Sequence, residues 1–180
     1  ERFGGFPYGI YAYSAGSTVA NVLFSEPTRG VFRIVNDVRL DRASGWEINL
    51  LLSSAALTGV ILWWGIPLLR KREERWSLES RTFVALIVAL LACGVLSFNY
   101  SRDRLGGMAL PFYAIAAFYA LRAAATRMSA ASTGPRLAGT LALTLLSFAW
   151  QTRAVGTIEA VRLISLRAQA GWLSELPQRR

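Results

Sequence analysis

Histidine is absent from this sequence of 180 residues, so no imidazole is there to ligate a metal or carry a catalytic proton. Cysteine occurs once, as Cys93 inside an apolar run, which excludes an intrachain disulfide framework and reads as a small buried side chain. Charge is scarce: 17% of residues carry it, against about 25% in a typical soluble domain. What fills the chain is hydrophobic, 53% of residues with a mean hydropathy of +0.35, so most of it is expected to be solvated by lipid or by other membrane helices. The net charge of +9 and pI near 10.8 invite a nucleic-acid reading, but the basic residues flank apolar runs and form no basic face with interleaved aromatics. Nothing in the residue pattern asks for a cofactor. The chain starts at Glu1 without a methionine and without a basic region followed by an apolar core, which reads as a piece of a larger protein whose other helices lie upstream.

Between Thr82 and Leu121 the only charges are the consecutive Arg102, Asp103 and Arg104, set between uncharged runs of twenty and seventeen residues. A hydrocarbon core of about 30 Å takes about 20 apolar residues per helical crossing, so this is a membrane hairpin with a charged tip. Residues 48–69 form a further uncharged run of twenty-two, closed by the charge cluster Arg70 to Arg75. Trp46 and the pair Trp63 and Trp64 sit where indoles favour the headgroup layer, and Pro67 should end or kink the last turn. Residues 137–152 give a fourth run, only sixteen long, which needs a thinned bilayer, a snorkelling Arg153 or shelter among other helices. The fold class expected is therefore all-α, a polytopic membrane protein of about four spans with interfacial amphipathic helices.

Residues 1–46 read as an interfacial or external segment, 47–153 as the transmembrane region and 154–180 as an external helical tail. Residues 3–25 lack charge but carry Gly4, Gly5, Pro7, Gly9 and Gly16, which weaken a helix, so an interfacial or re-entrant segment is expected. Ser25 as cap, with Glu26 and Pro27 in the first turn, should then start an amphipathic helix over 27–40, with Val31, Ile34, Val35 and Val38 on one stripe and Arg29, Arg33, Asn36 and Asp37 opposite.

Lys and Arg concentrate on the cytoplasmic side of membrane proteins. Segments 70–81 and 122–136 together hold eight of them and the hairpin tip two, so the tip is expected outside. Two guanidiniums flanking a carboxylate there suit a phosphate at headgroup depth, because each arginine offers a fixed fork of donors. The plain alternative is three solvated residues that stop the helices, with Asp103 weakly paired to one arginine. No expected span carries a mid-bilayer ionisable residue, which argues against a proton-coupled transporter built from these helices. The carboxylates expected outside (Glu1, Glu26, Asp37, Asp41, Glu47, Asp103, Glu159 and Glu175) include no Asp-x-Asp or adjacent pair for a divalent cation. Glu47, at the mouth of a span, is either a carboxylate perturbed by burial or one favoured by the helix dipole. Ser53, Ser54, Thr58 and Ser97 read as packing residues, since no base is placed beside them.

The order of these features, Ser25-Glu26-Pro27-Thr28-Arg29-Gly30-Val31 before an amphipathic helix, Trp46 before a span, and Asn99-Tyr100-Ser101-Arg102-Asp103-Arg104 leading into Met108-Ala109-Leu110-Pro111-Phe112-Tyr113-Ala114, resembles the carboxy-terminal membrane part of bacterial GT-C-type glycosyltransferases. The resemblance implies a multi-pass protein of the bacterial inner membrane that takes a sugar from a polyprenyl-phosphate donor at the external face, with Arg102, Asp103 and Arg104 approaching the donor phosphate. In that family the catalytic aspartate lies in an amino-terminal external loop with no counterpart here, so the resemblance implies part of the donor wall without the catalytic base. A non-catalytic integral membrane scaffold or assembly subunit is the alternative.

Overall fold

The computed structural model describes residues 7–24, 30–70, 77–97 and 107–175, and every regular element among them is helical: α1 (Pro7–Phe24), α2 (Val31–Arg39), α3 (Gly45–Arg70), α4 (Leu78–Leu96), α5 (Leu110–Ser129) and α6 (Thr133–Glu175). Three stretches, Gly45–Arg70, Leu78–Leu96 and Gly107–Ser129, are long and apolar enough to cross a membrane. The chain is thus an all-α protein with the makings of a multi-pass membrane domain.

The three candidate spans carry apolar residues on the side facing away from the bundle. Leu52 and Leu62 of α3, Val88 and Leu91 of α4, and Ile115 and Phe118 of α5 are exposed, while the inward stripes mix in small and hydroxyl-bearing residues. On α3 the inward stripe runs Glu47, Leu50, Ser53, Ser54, Leu57, Thr58, Ile61, Trp64, Gly65, a helical period of three and four. In lipid the hydrophobic effect does not pull helices together, so close packing of small residues and hydrogen bonds between helices must. α3 is the hub and touches each of the other five helices, while α1, α4, α5 and α6 form an arc around it, each against the next except α1 and α6.

Several expectations change here. Residues 7–24 form one unbroken helix packed on α3 and α4, because α1 turns its hydroxyls and amide (Ser14, Ser17, Thr18, Asn21) into the bundle, where tertiary bonds override the glycines' weak propensity. Thr18 donates to Ser97 Oγ at 2.7 Å, and Ser97 donates onward to Cys93 O at 2.7 Å. The amphipathic helix begins at Val31 with Gly30 as N-cap, and Asn21 Oδ1 of α1 accepts the Val31 N–H at 2.7 Å; the expected cap Ser25 and first-turn residues Glu26 and Pro27 lie outside the described residues. Its apolar stripe is only half used, with Val31 and Ile34 buried and Val35 and Val38 nearly half exposed. Trp64 belongs to the core, edge-on to Phe83 and stacked on Tyr119, each at 6.0 Å between ring centroids. Trp63 alone of that pair faces outward, with the Arg127 guanidinium 4.5 Å above its ring. Pro67 does not end α3, which runs one further turn to Arg70.

The fourth run, 137–152, does not form a helix of its own. It is the first half of α6, a continuous helix of 43 residues and about 64 Å, which passes without a break through the change from apolar to mixed sequence after Arg153.

Candidate functional site

The chemistry of the bundle concentrates where α6 crosses α3. α3 starts with a capping box: the Ser44 N–H and Oγ donate to Glu47 Oε2 at 2.9 and 2.8 Å, and the Glu47 N–H donates back to Ser44 Oγ at 3.3 Å. This fixes the buried Glu47 carboxylate at the helix mouth, so the dipole-favoured role is the one its geometry serves. One turn on, Asn49 Nδ2 donates across to Ala149 O at 3.1 Å and Thr152 Oγ1 at 3.3 Å of α6. Trp46 lies over Gly156, so close that a Cβ there would come within 2.6 Å of the indole nitrogen.

That crossing carries Arg153 inward. Its side chain is 5% exposed, its Nη1 donates to Ser54 Oγ at 2.7 Å, and its guanidinium lies 4.2 Å above the Trp150 ring. Ser54 stands nine residues into α3, about 13 Å along its axis, so Arg153 does not snorkel out to the interface but points into the bundle. The hydropathy pattern gives no sign of a charge inside the bundle, and α6 supplies one. Arg153 is also within electrostatic reach of the Tyr113 phenol of α5. Tyr113 and Thr58 share a 2.9 Å hydrogen bond, and since Thr58 donates to Leu23 O, Tyr113 is the donor in it.

Beside this cluster opens an apolar cleft of about 600 Å³ between α5 and α6, floored by Leu57 and walled by residues such as Ala117, Phe118, Leu146 and Trp150. Trp150 joins the two features: one face carries Arg153, its edge lines the cleft, and its buried indole N–H has no acceptor among the described residues. A cleft this size bordered by a guanidinium and an unmatched donor suits an amphiphile with an apolar chain and an anionic head.

Arg102, Asp103 and Arg104 lie outside the described residues, so the structure brings no geometry to them. Ser53, Ser54, Thr58 and Ser97 all take part in packing bonds, and none has a base beside it. Among the described residues no group of three Asp, Glu or Cys gathers as a metal site. Reading by runs of hydropathy missed Arg153 because it ends an apolar run and so resembles an interfacial stop; the signal that places it is Trp150 one helical turn earlier, with serines waiting mid-span in α3.

No known protein family, curated protein or solved structure matches this chain.

Proposed function

We propose that this chain is the membrane part of a glycosyltransferase that draws on a polyprenyl-phosphate sugar donor at the external face of a bacterial inner membrane. In this reading α6 provides a fourth crossing, α2 lies in the interface, and Arg102 and Arg104 at the external tip share the donor phosphate with groups deeper in the bundle. The observation that carries it is the meeting of a buried guanidinium and an apolar cleft at Trp150, since a charge at membrane depth is costly and is kept where it serves a ligand or a pathway.

The test is sugar transfer from a polyprenyl-phosphate donor in proteoliposomes holding the full-length protein. Arg153→Gln removes the charge, and Ala117→Trp fills the cleft while leaving the Arg153 bonds in place. Each should lower transfer about tenfold to hundredfold at equal membrane abundance, the equivalent of one charge-assisted hydrogen bond. Native rates in both variants would remove the reading. A second reading, a non-catalytic scaffold, draws on the engagement of Thr18, Ser54, Thr58 and Ser97 in packing bonds. It predicts that the donor lipid is retained by the purified protein with no turnover.

A further inference from the structure

The apolar cleft continues beyond Leu143 and Ser147 into a second, polar recess of about 420 Å³ lined by Ala125, Met128, Ser129, Arg136, Thr140 and Thr144. The two share Leu143 and Ser147, so one groove runs along the α5–α6 seam with Arg136 at one end and Trp150 at the other. Arg136 and Trp150 are 14 residues apart on one helix, about 21 Å, so the groove runs through most of the depth of a hydrocarbon core of about 30 Å.

The Arg136 end is the basic end of the bundle. Arg70, Arg81, Arg122 and Arg127 belong to the same ends of α3, α4 and α5, and the positive-inside bias assigns that end to the cytoplasmic leaflet. Arg136 is exposed and has no ion-pair partner among the described residues. The gap persists because α5 and α6 close on each other at one point, where Met128 occupies the space that a side chain on Gly139 would take.

We propose that the Arg136 recess binds the headgroup of an anionic glycerophospholipid of the cytoplasmic leaflet, one acyl chain of which lies in the α5–α6 groove. Charge complementarity selects the head, because a guanidinium at an anionic surface prefers a phosphodiester whose neighbouring groups add no positive charge. Reach fits the tail: from Arg136 to Ser147 is eleven residues of α6, about 16 Å, which is half the core thickness and the depth of one leaflet. The headgroup end of this site is separate from the transferase reading, which places its phosphate at the opposite end, while the two share the apolar cleft beyond Ser147.

The experiment is native mass spectrometry of the protein in mild detergent, titrated with phosphatidylglycerol or phosphatidylcholine of matched acyl chains. The expected result is one phosphatidylglycerol retained in preference to phosphatidylcholine, with Arg136→Gln lowering that preference about fivefold. Ala125→Trp, which fills the recess without touching a charge, should lower retention of both lipids. Unchanged phosphatidylglycerol retention in Arg136→Gln overturns the site. So does an Ala125→Trp variant that keeps its lipids but loses self-association or a co-purifying protein, since the groove would then seat a helix.

Discussion

α3 is held on two sides by different physics. Toward α4 the seam is made by shape: Gly65 leaves a hollow, the Phe83 ring fills it, and Trp64 meets that ring edge-on while stacking on Tyr119. Toward α6 the seam is made by polarity, with Asn49 reaching Ala149 and Thr152, Arg153 reaching Ser54, and Trp46 laid over Gly156. Close packing in lipid gains dispersion energy with no charge to desolvate, whereas a polar seam keeps groups that would be unsatisfied in hydrocarbon. The first seam fixes the bundle. The second holds a cation beside a cleft, which is what a site needs and what mere assembly does not.

The largest effect should follow from attacking the packed seam. A Cβ on Gly65 would stand 2.4 Å from the Phe83 ring, and neither backbone nor a buried ring held edge-on to Trp64 can yield that much, so Gly65→Val should cost about 3 kcal/mol or more and reduce the folded fraction in detergent. Phe83→Ala alone should cost about 3 kcal/mol through the cavity it leaves. Combined, the two should be less harmful than their sum, because the valine occupies part of that cavity. Strict additivity in thermal or denaturant unfolding would mean the seam is not held by this fit.

The polar seam has its own close approach, and Gly156→Ala tests it. The added methyl would meet Trp46 at 2.6–2.8 Å, at ring atoms that include the buried indole nitrogen, so the whole indole must shift and about 2 kcal/mol is expected. Gly139→Ala is the control. The atoms it meets are the Sδ and Cγ of Met128, a flexible thioether chain that moves aside, so little change in stability is expected. If Gly139→Ala were the worse of the two, α5 and α6 would be locked more tightly than the groove between them suggests.

The two seams also differ in how far they could be read before the fold was known. Long uncharged runs announced α3, α4 and α5, because the residues that face away from the bundle are apolar and hydropathy reports on that side. The packed seam left a weaker trace, since nothing in a linear run says that Gly65 faces Phe83 and not lipid. For α1 the glycine spacing speaks to intrinsic propensity and predicts a weak helix, while the helix is secured by contacts such as Thr18 to Ser97, seventy-nine residues away. α6 was misread because a length rule for crossings stops at the first charge, and Arg153 turns inward. The site followed the same rule: charged residues at a loop tip were visible in sequence, and a charge inside the bundle needed the crossing of α3 and α6 to be placed.

Asn49→Ala gives the smallest and most discriminating test of the comparison. It removes two cross-helix bonds, both long at 3.1 and 3.3 Å, and one acceptor, Thr152 Oγ1, keeps its own donation to the α6 backbone. Buried side-chain bonds between membrane helices are worth about 0.6 kcal/mol on average and at most about 1.7, since an unfolded segment in the bilayer finds other partners. Unfolding should therefore move by about 1 kcal/mol or less, well below the Gly65→Val change. Asn49 bonds α6 on the same side of α3 that meets Arg153, at Ala149 and Thr152, so loss of its bonds should loosen the cleft more than it loosens the fold. The expected signature is weaker retention of an anionic amphiphile at near-native stability. A stability loss as large as that of Gly65→Val would show instead that α6 is fastened to α3 as firmly as α4 is, and that the polar seam is structural first.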